Sequence, residues 1–130
     1  MRMNEITGAV VDAAMKVHSK LGPGLLESAY EACISYELNE RRISVKTQVS
    51  LPVRYEQKLI DVGYRIDMLV EDMVIVELKA VEKLLPIHKA QLLSYLRLSN
   101  KKVGLLLNFN EVHMRNGVKR IVNNYGDQAD

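Results

Sequence analysis

Val74-Ile75-Val76-Glu77-Leu78-Lys79-Ala80 reads as a buried strand, apolar and β-branched, that nonetheless carries a carboxylate and an ammonium two positions apart. Side chains at i and i+2 of an extended strand leave the same face. Glu77 and Lys79 therefore project side by side, while Val74, Val76, Leu78 and Ala80 fill the other face. Charges enter a central strand when they are paired, hold a metal or do chemistry. What surrounds this strand is the way to tell which.

Upstream, Ile60, Val62, Tyr64, Ile66, Met68 and Val70 alternate along a second strand, with Asp67 on its opposite face. The connection between the two strands decides whether Asp67 meets Glu77. A two-residue turn at Glu71-Asp72 sets Asp67 against Val76. A three-residue connection, Glu71-Asp72-Met73, sets it against Glu77 and unites Ile66, Met68, Val70, Val74, Val76 and Leu78 on one apolar face. The second register, or an equivalent bulged turn, buries more apolar surface and is the expected one. It also opposes Arg65 to Lys79, an arrangement that needs carboxylates, metal or phosphate nearby.

Further out, Val45, Thr47, Val49, Leu51, Val53 and Tyr55 alternate with polar residues, which predicts a half-buried strand with Pro52 at an edge or bulge. Downstream, Pro86 opens a helix from Ile87 to about Leu98, with Ala90, Leu93 and Leu96-Arg97 on one side and His88, Gln91 and Tyr95 on another. Val103 to Phe109 reads as a fully buried strand, and the order strand, helix, strand predicts a parallel neighbour. At the N-terminal end, Ile6, Val10, Ala13, Ala14, Val17 and Leu21 predict a helix from Asn4 to about Lys20, capped by Asn4 or Thr7. Gly22-Pro23-Gly24 stops it. Leu26, Tyr30, Ile34 and Leu38 then mark a helix from about Leu25 to Arg42, with Glu27 beside its packing face. Asn116-Gly117 signals a hairpin-type turn, Val118 to Val122 an edge strand, and residues 125–130 a frayed end.

Composition narrows the class. With 130 residues the chain fits one domain, 1–130, and its 48% hydrophobic and 26% charged residues are those of a soluble globular protein. No apolar run approaches the roughly 18 residues of a membrane span. The N-terminus lacks the pattern of a signal peptide, and Cys33 has no second cysteine to pair with, so a cytoplasmic location is expected. His18, His88 and His113 lie far apart without metal-ligand spacing, which leaves any metal to carboxylates. A net charge of +2 is too small to argue for nucleic acid by itself. No repeat, low-complexity segment or linker divides the chain.

A helix, three antiparallel strands, a helix and a strand, with Asp67 followed by Glu77-Leu78-Lys79, resemble the PD-(D/E)XK nuclease superfamily, Ile66 standing where the motif has proline. Within it, Gly24-Leu25-Leu26-Glu27-Ser28-Ala29-Tyr30 is similar to the naming motif of the GxxExxY family, and the resemblance runs from about Val10 to Asn123. It implies an α/β fold with a restriction-endonuclease-like core (α-β-β-β-α-β), a mixed sheet flanked by helices and an extra N-terminal helix. It also implies a metal-dependent nuclease hydrolysing phosphodiester bonds, in DNA ahead of RNA. Asp67 and Glu77 are the implied ligands of Mg2+ or Mn2+, joined by Glu27. Lys79 would orient or deprotonate water or stabilise phosphate charge, and Gln91 would position water or Lys79, with Tyr30 and Tyr95 in support. Lys83, His88 and Lys89 are candidate nucleic-acid contacts, with Arg41, Arg42, Lys101 and Lys102 on loops. A homodimer that completes the substrate groove is expected.

The residue chemistry agrees, since hard divalent cations take oxygen ligands and Mg2+ needs only one or two carboxylates plus water. Plainer readings stand beside it. Glu27 is also what a helix dipole favours in a first turn, Glu77 and Lys79 also make an in-strand ion pair, and Gln91 and His88 also suit exposed helix positions. Tyr30 and Tyr95 read mainly as packing residues and Cys33 as core filler. The alternative function is a non-catalytic module that keeps the fold and binds nucleic acid or protein.

Overall fold

The computed structural model describes residues 1–124. Its elements run α1 (Met3–Leu21), α2 (Glu27–Glu40), β1 (Val45–Ser50), β2 (Val53–Tyr55), β3 (Lys58–Ile60), β4 (Arg65–Val70), β5 (Val74–Lys79), α3 (Pro86–Ser99), β6 (Val103–Asn108), a 3-10 turn (Met114–Gly117) and β7 (Val118–Val122). Five strands form one sheet in the order β1-β4-β5-β6-β7, with β5 and β6 parallel and the other neighbours antiparallel. Strand β5 is therefore central, and the parallel crossover through α3 is the expected one.

The register between β4 and β5 is also the expected one. Met68 pairs with Val76, Leu69 with Ile75 and Val70 with Val74. Glu71 and Asp72 take left-handed conformations, φ 53° and 55°, and Met73 N–H donates to Val70 O at 3.0 Å to close the turn. Met73 is the extra residue that brings Asp67 to the level of Glu77.

Alternation along β5 feeds two cores. Val74, Val76 and Leu78 pack with Met68, Val70, Leu105 and Leu107 under α1 and α2, while Ile75 packs with Leu69, Leu106 and α3. A strand buried on both faces explains its unbroken apolar run. Gly104 of β6 lets α3 come close, because a Cβ there would stand 2.9 Å from a Leu92 methyl.

Several expectations are corrected. The two long strands each break, and β2 and β3 form a separate two-stranded hairpin after Leu51-Pro52; Pro52 has no N–H to continue the ladder. Ile66 joins the α3-side core with Leu51 instead of the Met68 face. The second helix starts at Glu27 and ends at Glu40. The first is capped at Arg2, whose N–H donates to Glu5 Oε1 at 3.0 Å, while Thr7 lies inside and donates to Asn4 O. On α3 the buried residues are Leu92, Tyr95 and Leu96, and Ala90 is exposed. Asn116-Gly117 ends a 3-10 turn rather than a two-residue hairpin. Residues 125–130, expected to fray, lie outside the described residues.

Candidate active site

Beyond Met68 and Val76 the β4–β5 ladder ends and side chains take over its hydrogen bonds. Asp67 N–H donates to Glu77 Oε2 at 2.8 Å, and Leu78 N–H donates to Asp67 Oδ2 at 2.9 Å. Each carboxylate thus satisfies a backbone donor of the opposite strand that the parting sheet would leave unpaired. Asp67 is half-buried and Glu77, 4% exposed, is the most deeply buried carboxyl of the site. Burial, followed by the Asp67 charge, pushes the Glu77 carboxyl up from 4.5 to about 8; the Asp67 N–H and Lys79 act in the opposite direction, and Glu27 adds to the rise. Three of the expected residues, Asp67, Lys79 and Glu27, therefore act on a fourth, Glu77.

Lys79 follows Glu77 on the same face, half-buried, and its Nζ donates to Gln91 Oε1 at 3.2 Å. Gln91 Nε2 in turn donates to Tyr95 OH at 3.2 Å. This chain orients the amide so that its oxygen, not its nitrogen, meets the ammonium. Burial, followed by the Glu77 charge, raises the Tyr95 hydroxyl above its ordinary range, so it stays protonated. Arg65, exposed on β4, donates to Tyr64 O at 3.1 Å and Ser50 Oγ at 3.4 Å and forms no ion pair among the described residues.

Glu27 arrives from the start of α2, and its Oε1 accepts Ala80 N–H at 3.3 Å, just past Lys79. What delivers it is the loop before the helix. Gly24 sits at φ 102°, where a side chain would be strained. Fully buried Tyr30 donates its hydroxyl to Gly22 O at 2.6 Å, accepts Leu25 N–H at 3.1 Å, and stacks on Phe109 with ring centres 4.2 Å apart. Tyr30 does not reach the carboxylates; it ties down the turn that presents Glu27.

Three further residues escaped the sequence reading. Fully buried Asn108 accepts Val81 N–H at 3.1 Å and donates to Val81 O at 2.9 Å, clamping the chain that leaves β5. An asparagine ending the run Val103–Asn108 was the available signal. Gln48 stands opposite Asp67 between the paired residues Thr47–Met68 and Val49–Ile66, and its Nε2 donates to Glu31 Oε1 at 2.8 Å and to Asp67 Oδ1 at 3.5 Å. Glu31 lies four residues after Glu27 and so shares its helix face. Glu27, Ser28, Glu31, Gln48, Asp67 and Leu78 line one open cleft of about 290 Å³.

Of the candidate nucleic-acid contacts, Lys83 and Lys89 are exposed, whereas His88 is half-buried and its Nδ1 accepts Leu85 N–H at 2.9 Å at the start of α3. Arg41 is engaged with Asp12 at 2.9 Å and with Ala9 O, and Lys101 with Asp72, so neither is a free loop cation.

The donor set suits a hard cation. No three His, Cys, Asp or Glu side chains among the described residues stand together closely enough to hold a metal by themselves, but Mg2+ requires only one or two carboxylates and keeps its waters. Asp67, Glu77 and Glu27 each have one oxygen tied to a backbone N–H, which fixes the carboxylate, and Asp67 Oδ1 also meets Gln48 Nε2 at 3.5 Å.

The family model described as the PD-(D/E)XK nuclease superfamily matches residues 4–121. No curated protein and no solved structure matches the chain. Nucleases of that superfamily generally use divalent metal ions. No helix among the described residues is long and apolar enough to cross a membrane.

Proposed function

We propose, for a chain that belongs to the PD-(D/E)XK nuclease superfamily, that Asp67 and Glu77 hold a divalent cation, Mg2+ or Mn2+, at which phosphodiester bonds of nucleic acid, DNA ahead of RNA, are hydrolysed. The observation that carries this reading is the reciprocal pair at the parting of β4 and β5, in which each carboxylate is fixed by the other strand's backbone. Two carboxylates so close, one of them buried, favour a proton or a cation between them. Glu27 completes the acidic set from α2. A GxxExxY-type membership is part of the reading, supported by the use to which Gly24, Glu27 and Tyr30 are put around one turn.

When bound, a divalent cation supplies positive charge against the phosphate and acidifies water. The chain's own groups do the rest. Lys79 brings an ammonium to the phosphate oxygens, where charge builds as the bond breaks. Gln91, fixed by Tyr95, holds that ammonium in place, and Lys83 and Lys89 attract the strand as it approaches. Two copies are read as pairing around the groove; sedimentation that finds only monomer would count against that pairing alone.

The decisive measurement is cleavage of duplex DNA by the purified chain with and without Mn2+, beside the Asp67→Ala and Lys79→Ala variants. Metal-dependent cleavage is expected, lost by at least about 100-fold in each variant. Variants that cleave like the parent overturn the reading, and binding without cleavage in the parent favours the non-catalytic module.

A further inference from the structure

We propose that Gln48 is a positioning residue for the Asp67 carboxylate, its side-chain amide coupling Asp67 on β4 to Glu31 on α2. The inference rests on the reading of Asp67 as a metal ligand. It begins from an oddity of backbone: Gln48 lies inside β1 with φ 53°, the left-handed region. A residue with a long side chain held there is strained by about 1–3 kcal/mol and persists only where its surroundings enforce it.

Neither a bulge nor burial of its own side chain accounts for it. The register is the same on both sides of it, Thr47 with Met68 and Val49 with Ile66, so no extra residue is being accommodated as in a bulge. Gln48 itself is exposed, so its own side chain is not being buried, although the strand changes sides here, Val45 packing toward α1 and α2 and Val49 and Leu51 toward α3. What the conformation accompanies is a pair of hydrogen bonds, from Nε2 to Glu31 Oε1 at 2.8 Å and to Asp67 Oδ1 at 3.5 Å. The amide must present nitrogen here, since both partners are carboxylates that only accept.

Asp67 is then held at both oxygens, Oδ2 by Leu78 N–H of β5 and Oδ1 by Gln48 of β1. Half-buried Glu31 gives the amide a firm second anchor on the helix that also delivers Glu27. The donor lies between two like charges and offsets their repulsion, which a carboxylate or an apolar side chain at position 48 would leave in force. Partners that orient a ligating carboxylate are typically worth 10–100-fold in metal affinity.

Gln48→Gly separates the two consequences, because glycine accepts the left-handed backbone but has no amide. Mn2+ binding followed by electron paramagnetic resonance is expected to weaken about tenfold, while the unfolding midpoint in EDTA stays level or rises. Glu31→Ala is expected to weaken Mn2+ binding by a smaller factor in the Gln48→Gly background than in the parent. A glycine variant that binds Mn2+ as tightly as the parent, or equal effects of Glu31→Ala in the two backgrounds, overturns the coupling while leaving the metal reading intact. A parent that takes up no Mn2+ overturns both.

Discussion

Glu77 concentrates the site's electrostatics in one residue. It is almost fully buried and near Asp67 and Glu27, and its carboxyl is pushed from 4.5 to about 8. Linkage gives the sign. Below 4.5 the group is protonated folded and unfolded alike, and its contribution is fully present; between 4.5 and 8 the unfolded chain has released the proton that the folded chain retains, so stability falls as pH rises. Above 8 the loss is complete. In EDTA the unfolding midpoint of the parent, relative to Glu77→Gln, is therefore expected to drop from about pH 5 to about pH 8. Glutamine keeps an oxygen for Asp67 N–H without the charge. Saturating Mn2+ at the higher pH should restore the parent and not the variant, since only a cation bound to the folded state stabilises it. A pH-independent gap between the two midpoints would contradict a buried, proton-holding carboxylate.

At the scale of elements, the site depends on how α2 is started. The helix has no side-chain cap at Leu26. Its turn is held instead by the Tyr30 hydroxyl, bonded on both sides to Gly22 and Leu25. Tyr30→Phe keeps the stack on Phe109 but leaves Gly22 O and Leu25 N–H without that partner. The expected loss is about 1–3 kcal/mol of stability, with Mn2+ affinity reduced as Glu27 loosens. Calorimetric melting and a Mn2+ titration check both, and a variant as stable as the parent would show that water replaces the hydroxyl without cost. The same scale explains what could be read in advance. Hydrophobic pairing across Glu71-Asp72-Met73 chose one register from two, so Asp67 and Glu77 were legible together, and Gln91 with Tyr95 followed from helical spacing. Gln48 and Glu31 were not, because their bond joins residues from a helix and a strand and depends on a backbone angle that no alternation encodes. Nor was the break into β2 and β3, since Leu51, Val53 and Tyr55 keep alternating across a proline that ends the ladder. The face of α3 misread by one position, Leu93 for Leu92, shows the limit of periodicity where Tyr95 serves both core and site.

For the whole molecule the question is how an acidic cleft attracts a polyanion. The net charge is only +2, so general attraction is weak and local cations must do the steering. Sheet topology sets where they lie. β5 ends at Lys79, the connection to α3 carries Lys83, and the first turn of α3 carries Lys89, so the exposed cations follow the chain directly out of the site. Each phosphate they meet releases a counterion and steepens the salt dependence. In an Asp67→Ala background, where binding is read without cleavage, Lys83→Ala and Lys89→Ala should each weaken duplex binding evenly across sequences. Each should also lower the slope of log affinity against log salt by about 1. Fluorescence anisotropy over a range of salt concentrations measures both quantities. An unchanged slope in both variants would place the duplex away from Lys83 and Lys89.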